Sequence, residues 1–197
     1  LLQDVSGAVS GNTITGIGNG LTTGCQEGRG IEAKGAGTLA ITGNNISQYQ
    51  KSGIIVRDTL NTTISGNTTA GEGATSAIAQ NGITVTGTGT TAITGNRTSG
   101  NWYTPAGNVS CGILTFNTAT ITGNDSTSDE VGICAIGGTG SQVKNNSIIR
   151  HRQQGIMVDG ATTILVDNNN IDGQGEGTTA TPGSDPDTDV RYYGIFA

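Results

Sequence analysis

The only histidine of the chain, His151, stands between Arg150 and Arg152, with Glu130 and Asp159 in the flanking segments. An imidazole near its ordinary pKa serves as general acid or base, and a guanidinium neutralises a carboxylate beside it. Those residue types suit removal of the proton next to a uronate carboxylate, the step of polyuronate elimination or epimerisation. His151, Arg152 and Asp159 are therefore the catalytic candidates, and Glu130 and Arg150 are candidate substrate contacts. The competing reading of the same string is a solvated loop His beside two surface Arg.

Apart from Tyr49, the aromatic residues gather in two places: Trp102, Tyr103 and Phe116, then Tyr192, Tyr193 and Phe196. Flat rings suit the apolar faces of sugars, which makes Trp102, Tyr103, Phe116, Tyr192 and Tyr193 candidate stacking residues; rings also pack loops onto a core. Asp185, Asp187 and Asp189 alternate along one acidic turn. They offer oxygen ligands to calcium as in the first half of a helix–loop–helix calcium site, although the Gly and distal Glu of that pattern are missing. Three Cys complete the inventory. Cys111 and Cys134 fall in neighbouring repeats but three residues out of register, so a disulfide stays open, and an odd count leaves at least one thiol.

The elements that hold these residues must be built from an unusual composition. Of 197 residues, 34 are Gly and only 32% are hydrophobic. That share is too small for a helical bundle or a doubly wound fold. A net charge of −6 with nine scattered basic residues argues against nucleic acid as a partner. No apolar run approaches the roughly 20 residues of a membrane span.

Periodicity separates the chain from disorder. A Gly-Ile pair opening a short alternating strand recurs at Gly30, Gly53, Gly82, Gly112, Gly132, Gly155 and Gly194. A second marker, a β-branched residue, a polar residue, Gly or Asn, then Asn, ends at Asn12, Asn44, Asn67, Asn96, Asn124, Asn146 and Asn169. From the Gly to the next Asn is 14 residues five times and 12 once (Gly112 to Asn124), whereas the return leg varies from 8 to 25. A rigid half and an elastic half in every repeat describe a solenoid with insertions confined to one corner. Inward rows follow from the alternation: Ile54 and Val56; Ile41, Ile64, Ile93, Ile121, Val143 and Val166; and Ile46, Ile148 and Ile171, with Thr69, Thr98 and Ser126 replacing them in other coils. Gly or Asn before each marker Asn admits a left-handed turn, so the seven Asn should stack as a ladder of amides. Three short strands per coil of about 22 residues, with coils ~4.8 Å apart, predict a parallel β-helix with right-handed crossovers.

On these markers the chain resembles the right-handed parallel β-helices of the pectin-lyase-like superfamily over essentially its whole length. The resemblance implies an all-β fold of about seven coils. It also implies that substrate lies along the outside of the first strand, walled by the variable loops, here 13–29, 68–81, 97–111 and 170–193. The outward residues two past each Gly are Glu32, Ile55, Thr84, Leu114, Cys134, Met157 and Phe196. Over the last four Gly-Ile strands this row is apolar, and exposed apolar rows mark a partner, a ligand or a covering loop. The candidate groove therefore runs over those four strands. A second charged patch, Glu27, Arg29, Glu32, Lys34, Arg57 and Asp58, mixes signs and reads as surface ion pairs.

The chain departs from the superfamily's enzymes in three ways. It lacks paired catalytic carboxylates at glycosidase spacing, the Asp cluster of the calcium-dependent pectate lyases, and the Asp-Pro-His-Asp string of the alginate epimerases. The resulting expectation is a single domain over 1–197, secreted or on the cell surface, engaging a polysaccharide and potentially processing a uronate polymer. The alternative is a structural, adhesin- or tailspike-like solenoid segment that mediates protein association. The first and last residues fall in the same strand seven coils apart, so the segment is expected to belong to a longer solenoid, with homo-oligomer contacts or flanking domains at its ends.

Overall fold

The computed structural model describes residues 1–18, 27–104, 108–173 and 193–197. Its strands form three parallel sheets that the chain visits in rotation, so consecutive strands never share a sheet. The first sheet stacks Leu2–Gln3, Arg29–Lys34, Ser52–Val56, Asn81–Val85, Cys111–Thr115, Val131–Ile136, Gln154–Asp159 and Tyr193–Phe196. Seven strands, from Gly7–Ser10 to Thr163–Asp167, make the second sheet, and seven from Thr13–Ile14 to Asn170–Asp172 make the third. Rotation through three all-parallel sheets for seven coils is a parallel β-helix, with the coil number its markers predict.

The inward rows close the interior. Ile41, Ile46, Ile54, Ile64, Ile83, Ile93, Ile113, Ile121, Val143, Ile148 and Ile156 are fully buried in one cluster, and Val166 and Ile171 pack partly buried against it. The second-sheet row pairs branched aliphatics across coils, as in Ile64↔Ile93 and Ile93↔Ile121, whereas the third-sheet row mixes Ile with Thr and Ser, as in Ile46↔Thr69 and Ser126↔Ile148. In the second sheet a branched side chain then meets a similar shape every coil, which suits stacked strands.

The two glycine families serve different physical ends. At the tight turn, Gly11, Gly43, Gly66, Gly95, Gly123, Asn145 and Asn168 all have φ between 52° and 67°, the left-handed region where an ordinary side chain is strained. The Gly of each Gly-Ile pair lies outside that region. There a Cβ would collide with the inward side chain of the third sheet: Ile46 at Gly30, Thr69 at Gly53, Ile148 at Gly132 and Ile171 at Gly155. It would also press on the carbonyl of the matching Gly one coil on. The Gly-Ile pair is thus a steric requirement of the corner.

Two expected loops are largely strand. Thr68–Thr75 and Arg97–Tyr103 continue the third sheet into 68–81 and 97–111, and they pair with each other through Asn101↔Gly73, Trp102↔Ala74 and Tyr103↔Thr75 beyond a register shift. Neighbouring coils lengthen together because each supplies the other's hydrogen bonds, and the Gly, Ala and Ser of these stretches give no apolar alternation to announce it.

Candidate functional site

The outer face of the first sheet differs from its sequence outline. Ile55, Thr84 and Cys134 are buried, and Leu114 and Met157 are half-buried, so the apolar row is covered and only its last member, Phe196, is exposed. A cleft on this face crosses the first four Gly-Ile strands. It measures about 340 Å³ and is lined by Arg29, Lys51, Arg57, Asn81 and Thr84 on one side and by Val109, Leu114 and Phe116 on the other. Phe116 and Val109 are exposed at its lip.

The cations are positioned by the local sequence. Arg29 opens one strand and Arg57 follows the end of the next, with Glu32 between them at 3.0 Å and 3.2 Å through its two carboxylate oxygens, and Arg29 also meets Glu27 at the rim. The mixed patch forms the ion pairs its signs suggest, and one carboxylate steadies two guanidinium groups. Lys51 Nζ donates to the Ala79 carbonyl at 2.7 Å. Burial, then the nearby Arg29, lower the Lys51 pKa. An anion in the cleft would relieve both effects. Lys51 precedes Gly53 by two residues, on the side of the strand that an outward row counted forward from each Gly does not reach.

Trp102, Tyr103, Glu130 and Arg152 come together in a different way from a sugar-stacking wall. The Arg152 guanidinium lies 5.0 Å from the Trp102 ring centroid, a cation–π contact that covers one face of the ring. Glu130 is fully buried. It accepts the backbone N–H groups of Tyr103 (3.1 Å) and Ser110 (3.0 Å) and the Gln153 amide (2.6 Å). Burial raises its pKa from 4.5 to about 7, against the pull of those N–H groups and of Arg152. Glu130 is thus a tie between Tyr103 and Ser110.

The remaining candidates separate. His151 is only 7% exposed, tucked where a Cβ on Gly155 or Gly173 would touch its imidazole. The solvated-loop reading is corrected: the ring packs into the corner between the third and first sheets because glycines there leave it room. Arg150 and Asp159 are exposed, Arg150 in a left-handed turn with φ 57°. Tyr192, Asp185, Asp187 and Asp189, the side chain of Tyr193, and Cys25 lie outside the described residues.

Sequence reasoning missed a buried polar column at the same corner. The Tyr49 hydroxyl donates to Asn101 Oδ1 at 2.6 Å. Asn101 in turn donates its backbone N–H and its amide to Asp129 Oδ1. The hydroxyls of Thr98 and Ser126 donate to Asp129 Oδ2 at 2.7 Å and 2.8 Å. Burial raises the pKa of Asp129 despite these four donors, and burial likewise raises that of the Tyr49 phenol. A polar residue five positions after Asn44, Asn96, Asn124 and Asn146 (Tyr49, Asn101, Asp129, His151) is the signal that could have found it.

The cysteines also resolve. Cys111 begins a strand instead of lying in a loop, and it forms a disulfide with Cys134 with Cα atoms 6.1 Å apart. With Val131 the pair makes a small buried cluster separate from the interior core, and Leu114 and Met157 pack against it.

A family model described as "Periplasmic copper-binding protein (NosD)" matches residues 5–188. No curated protein and no solved structure matches the chain.

Proposed function

The chain belongs to the NosD family, a right-handed parallel β-helix family of the pectin-lyase-like kind, and from that premise we propose that it works outside the cytoplasm by binding an acidic polysaccharide in the cleft of the first four Gly-Ile strands. One observation carries the reading. In a chain of net charge −6 with nine Lys and Arg, three of those cations line a single cleft; among the described residues no carboxylate lines it, and Glu32 pairs with Arg29 and Arg57 beside it. The cations sit on two neighbouring coils ~4.8 Å apart, Arg29 on one and Lys51 and Arg57 at the two ends of the next strand, so a polymer laid along the helix axis meets charge on these two coils and neutral groups on the two that follow. Phe116 offers its exposed ring from the opposite wall, and Asn81 and Thr84 supply amide and hydroxyl groups for sugar hydroxyls. Binding alone is proposed, because His151 is buried and the Glu130 oxygens are engaged.

The test is calorimetric titration with polygalacturonate, alginate and neutral dextran. Saturable binding of the acidic polymers, weakened by salt and by at least about tenfold in Lys51→Gln/Arg57→Gln, is expected. Equal binding of dextran, or unchanged binding by the double variant, would sink the reading.

The family's name points to copper as well. Copper(II) favours imidazole, and copper(I) favours thiolate and thioether sulfur. The single His is buried, and among the described residues no group of three His, Cys, Asp or Glu is placed to hold a metal ion. Soft donors meet at Cys111, Cys134 and Met157, but the disulfide leaves no thiolate there. The described residues therefore do not present a donor set that fits copper.

A further inference from the structure

We infer that the cleft selects a sparsely charged polysaccharide, one uronate followed by a run of neutral sugars, with Phe116 and Asp159 disfavouring a polymer charged at every sugar. The inference rests on the binding reading above and narrows its ligand.

One outward row of the first sheet changes character in a single direction. Arg57, Thr86 and Phe116 take the same place on successive coils, donating their backbone N–H groups to the carbonyls of Ala33, Val56 and Val85 at 2.9 Å. Ile136 continues the row, since Thr115 pairs with Ala135, and Asp159 follows because it pairs with Ile136. The row thus runs from cation to hydroxyl, aromatic ring, aliphatic side chain and carboxylate, one step per coil of ~4.8 Å. Thr86, Phe116 and Asp159 are exposed, and Arg57 and Ile136 are half-buried. The neighbouring outward row, Thr84, Leu114, Cys134 and Met157 in register, carries no charge.

A pyranose with its glycosidic bridge is about as long as one coil spacing, so successive sugars meet successive coils. A uronate over Ser52–Val56 lies between Lys51 and Arg57. The next sugar meets Asn81, Thr84 and Thr86, whose amide and hydroxyl groups suit sugar hydroxyls. The third lies against Leu114 and the Phe116 ring, which suit the apolar face of a neutral sugar. A carboxylate at that third place would lose water beside an aromatic ring with no cation to offset the cost, and one two coils further would face Asp159. A polyuronate still has its one favourable place, so it binds, but more weakly. The cations attract any acidic polymer, and the selection comes from these opposed contacts.

The experiment titrates the full chain calorimetrically with pentasaccharides, one sugar for each coil from Arg57 to Asp159. The probes are pentagalacturonate, neutral cellopentaose, and cellopentaose bearing a single carboxylate at one end or at the other. One of the two singly charged probes should bind at least about tenfold more tightly than pentagalacturonate, because like charges set against each other discriminate strongly. Phe116→Ala should weaken that probe about fivefold and leave pentagalacturonate nearly unchanged. Asp159→Asn should tighten pentagalacturonate severalfold without moving the singly charged probe. Both side chains are exposed, and circular dichroism confirms that the variants keep the β-sheet spectrum. The inference is overturned, with acidic binding left standing, if pentagalacturonate binds as tightly as both singly charged probes or if the two variants change all acidic probes alike. If no acidic probe binds more tightly than cellopentaose, the acidic-polysaccharide reading falls and takes the inference with it.

Discussion

The two inner corners beside the third sheet solve the same problem by opposite means. Between the second and third sheets, every coil places the same residue. Each amide from Asn12 to Asn146 donates Nδ2 to Oδ1 of the next coil's Asn, at 2.8–3.0 Å, and that oxygen also accepts the donor's own backbone N–H. Between the third and first sheets the coils differ, with Tyr49, Asn101, Asp129 and His151 each finding its own partners. A uniform corner tolerates no insertion, because one displaced amide leaves buried groups unpaired on both neighbours. The other corner is paired coil by coil, so it accepts return legs of varied length, and Glu130, Trp102 and Arg152 gather there.

Breaking the uniform corner should have the largest effect. Asn96→Ala takes the acceptor from the Asn67 backbone N–H and the amide donor from the Ile64 carbonyl, and leaves the Asn67 amide only its carbonyl partners Ile41 and Ser65. A loss of about 4 kcal/mol is expected in urea denaturation, since each buried orphan costs about 1–3 kcal/mol. A loss under about 1 kcal/mol would show that the stack is not a source of stability.

The glycines sharpen the contrast next. A Cβ on Gly112 would overlap the Asp129 carboxylate and the Thr98 hydroxyl, so Gly112→Ala should cost about 3 kcal/mol. Gly95→Ala has open space and only its φ of 62° against it, which should cost about 1 kcal/mol. Equal costs in the same denaturation series would erase the distinction between steric and dihedral glycines.

Protonation of Glu130 distinguishes the heterogeneous corner in a third way. The folded chain keeps this proton up to about pH 7, whereas the group ordinarily loses it near 4.5. The native state is therefore favoured below pH 4.5, and that advantage is lost as pH rises to 7. Relative to Glu130→Gln, the parent should lose on the order of 3 kcal/mol between pH 4.5 and 7.5. Parallel stability curves for the two proteins would refute the buried acid. Smallest is Tyr49→Phe, which removes one hydrogen bond to Asn101 and should cost about 1 kcal/mol by thermal melting.

The solenoid was legible because its signals are local. Ile64, Ile93 and Ile121 are inward from alternation alone, and Gly95 or Asn145 announces a left-handed turn by residue type. The site was less legible. Lys51 and Arg57 are ordinary surface residues until the strands place them beside Val109 and Phe116. His151 looked available in a string of Arg, yet Gly155 and Gly173 make room to bury it. Glu130 read as a substrate contact, but Tyr103 and Ser110 arrive from another coil to occupy its oxygens.

The sequence by itself determined the coil count, the inward rows and the tight turn, because side-chain alternation and a turn's φ depend only on residues a few positions apart. Tertiary structure alone decided that Cys111 joins Cys134, that Arg29, Lys51 and Arg57 line one cleft with Phe116, and that Asp129 is sealed inside. Those outcomes depend on how return legs of unequal length pack against neighbouring coils, and residues a whole coil or more apart in the chain carry no local mark of that meeting.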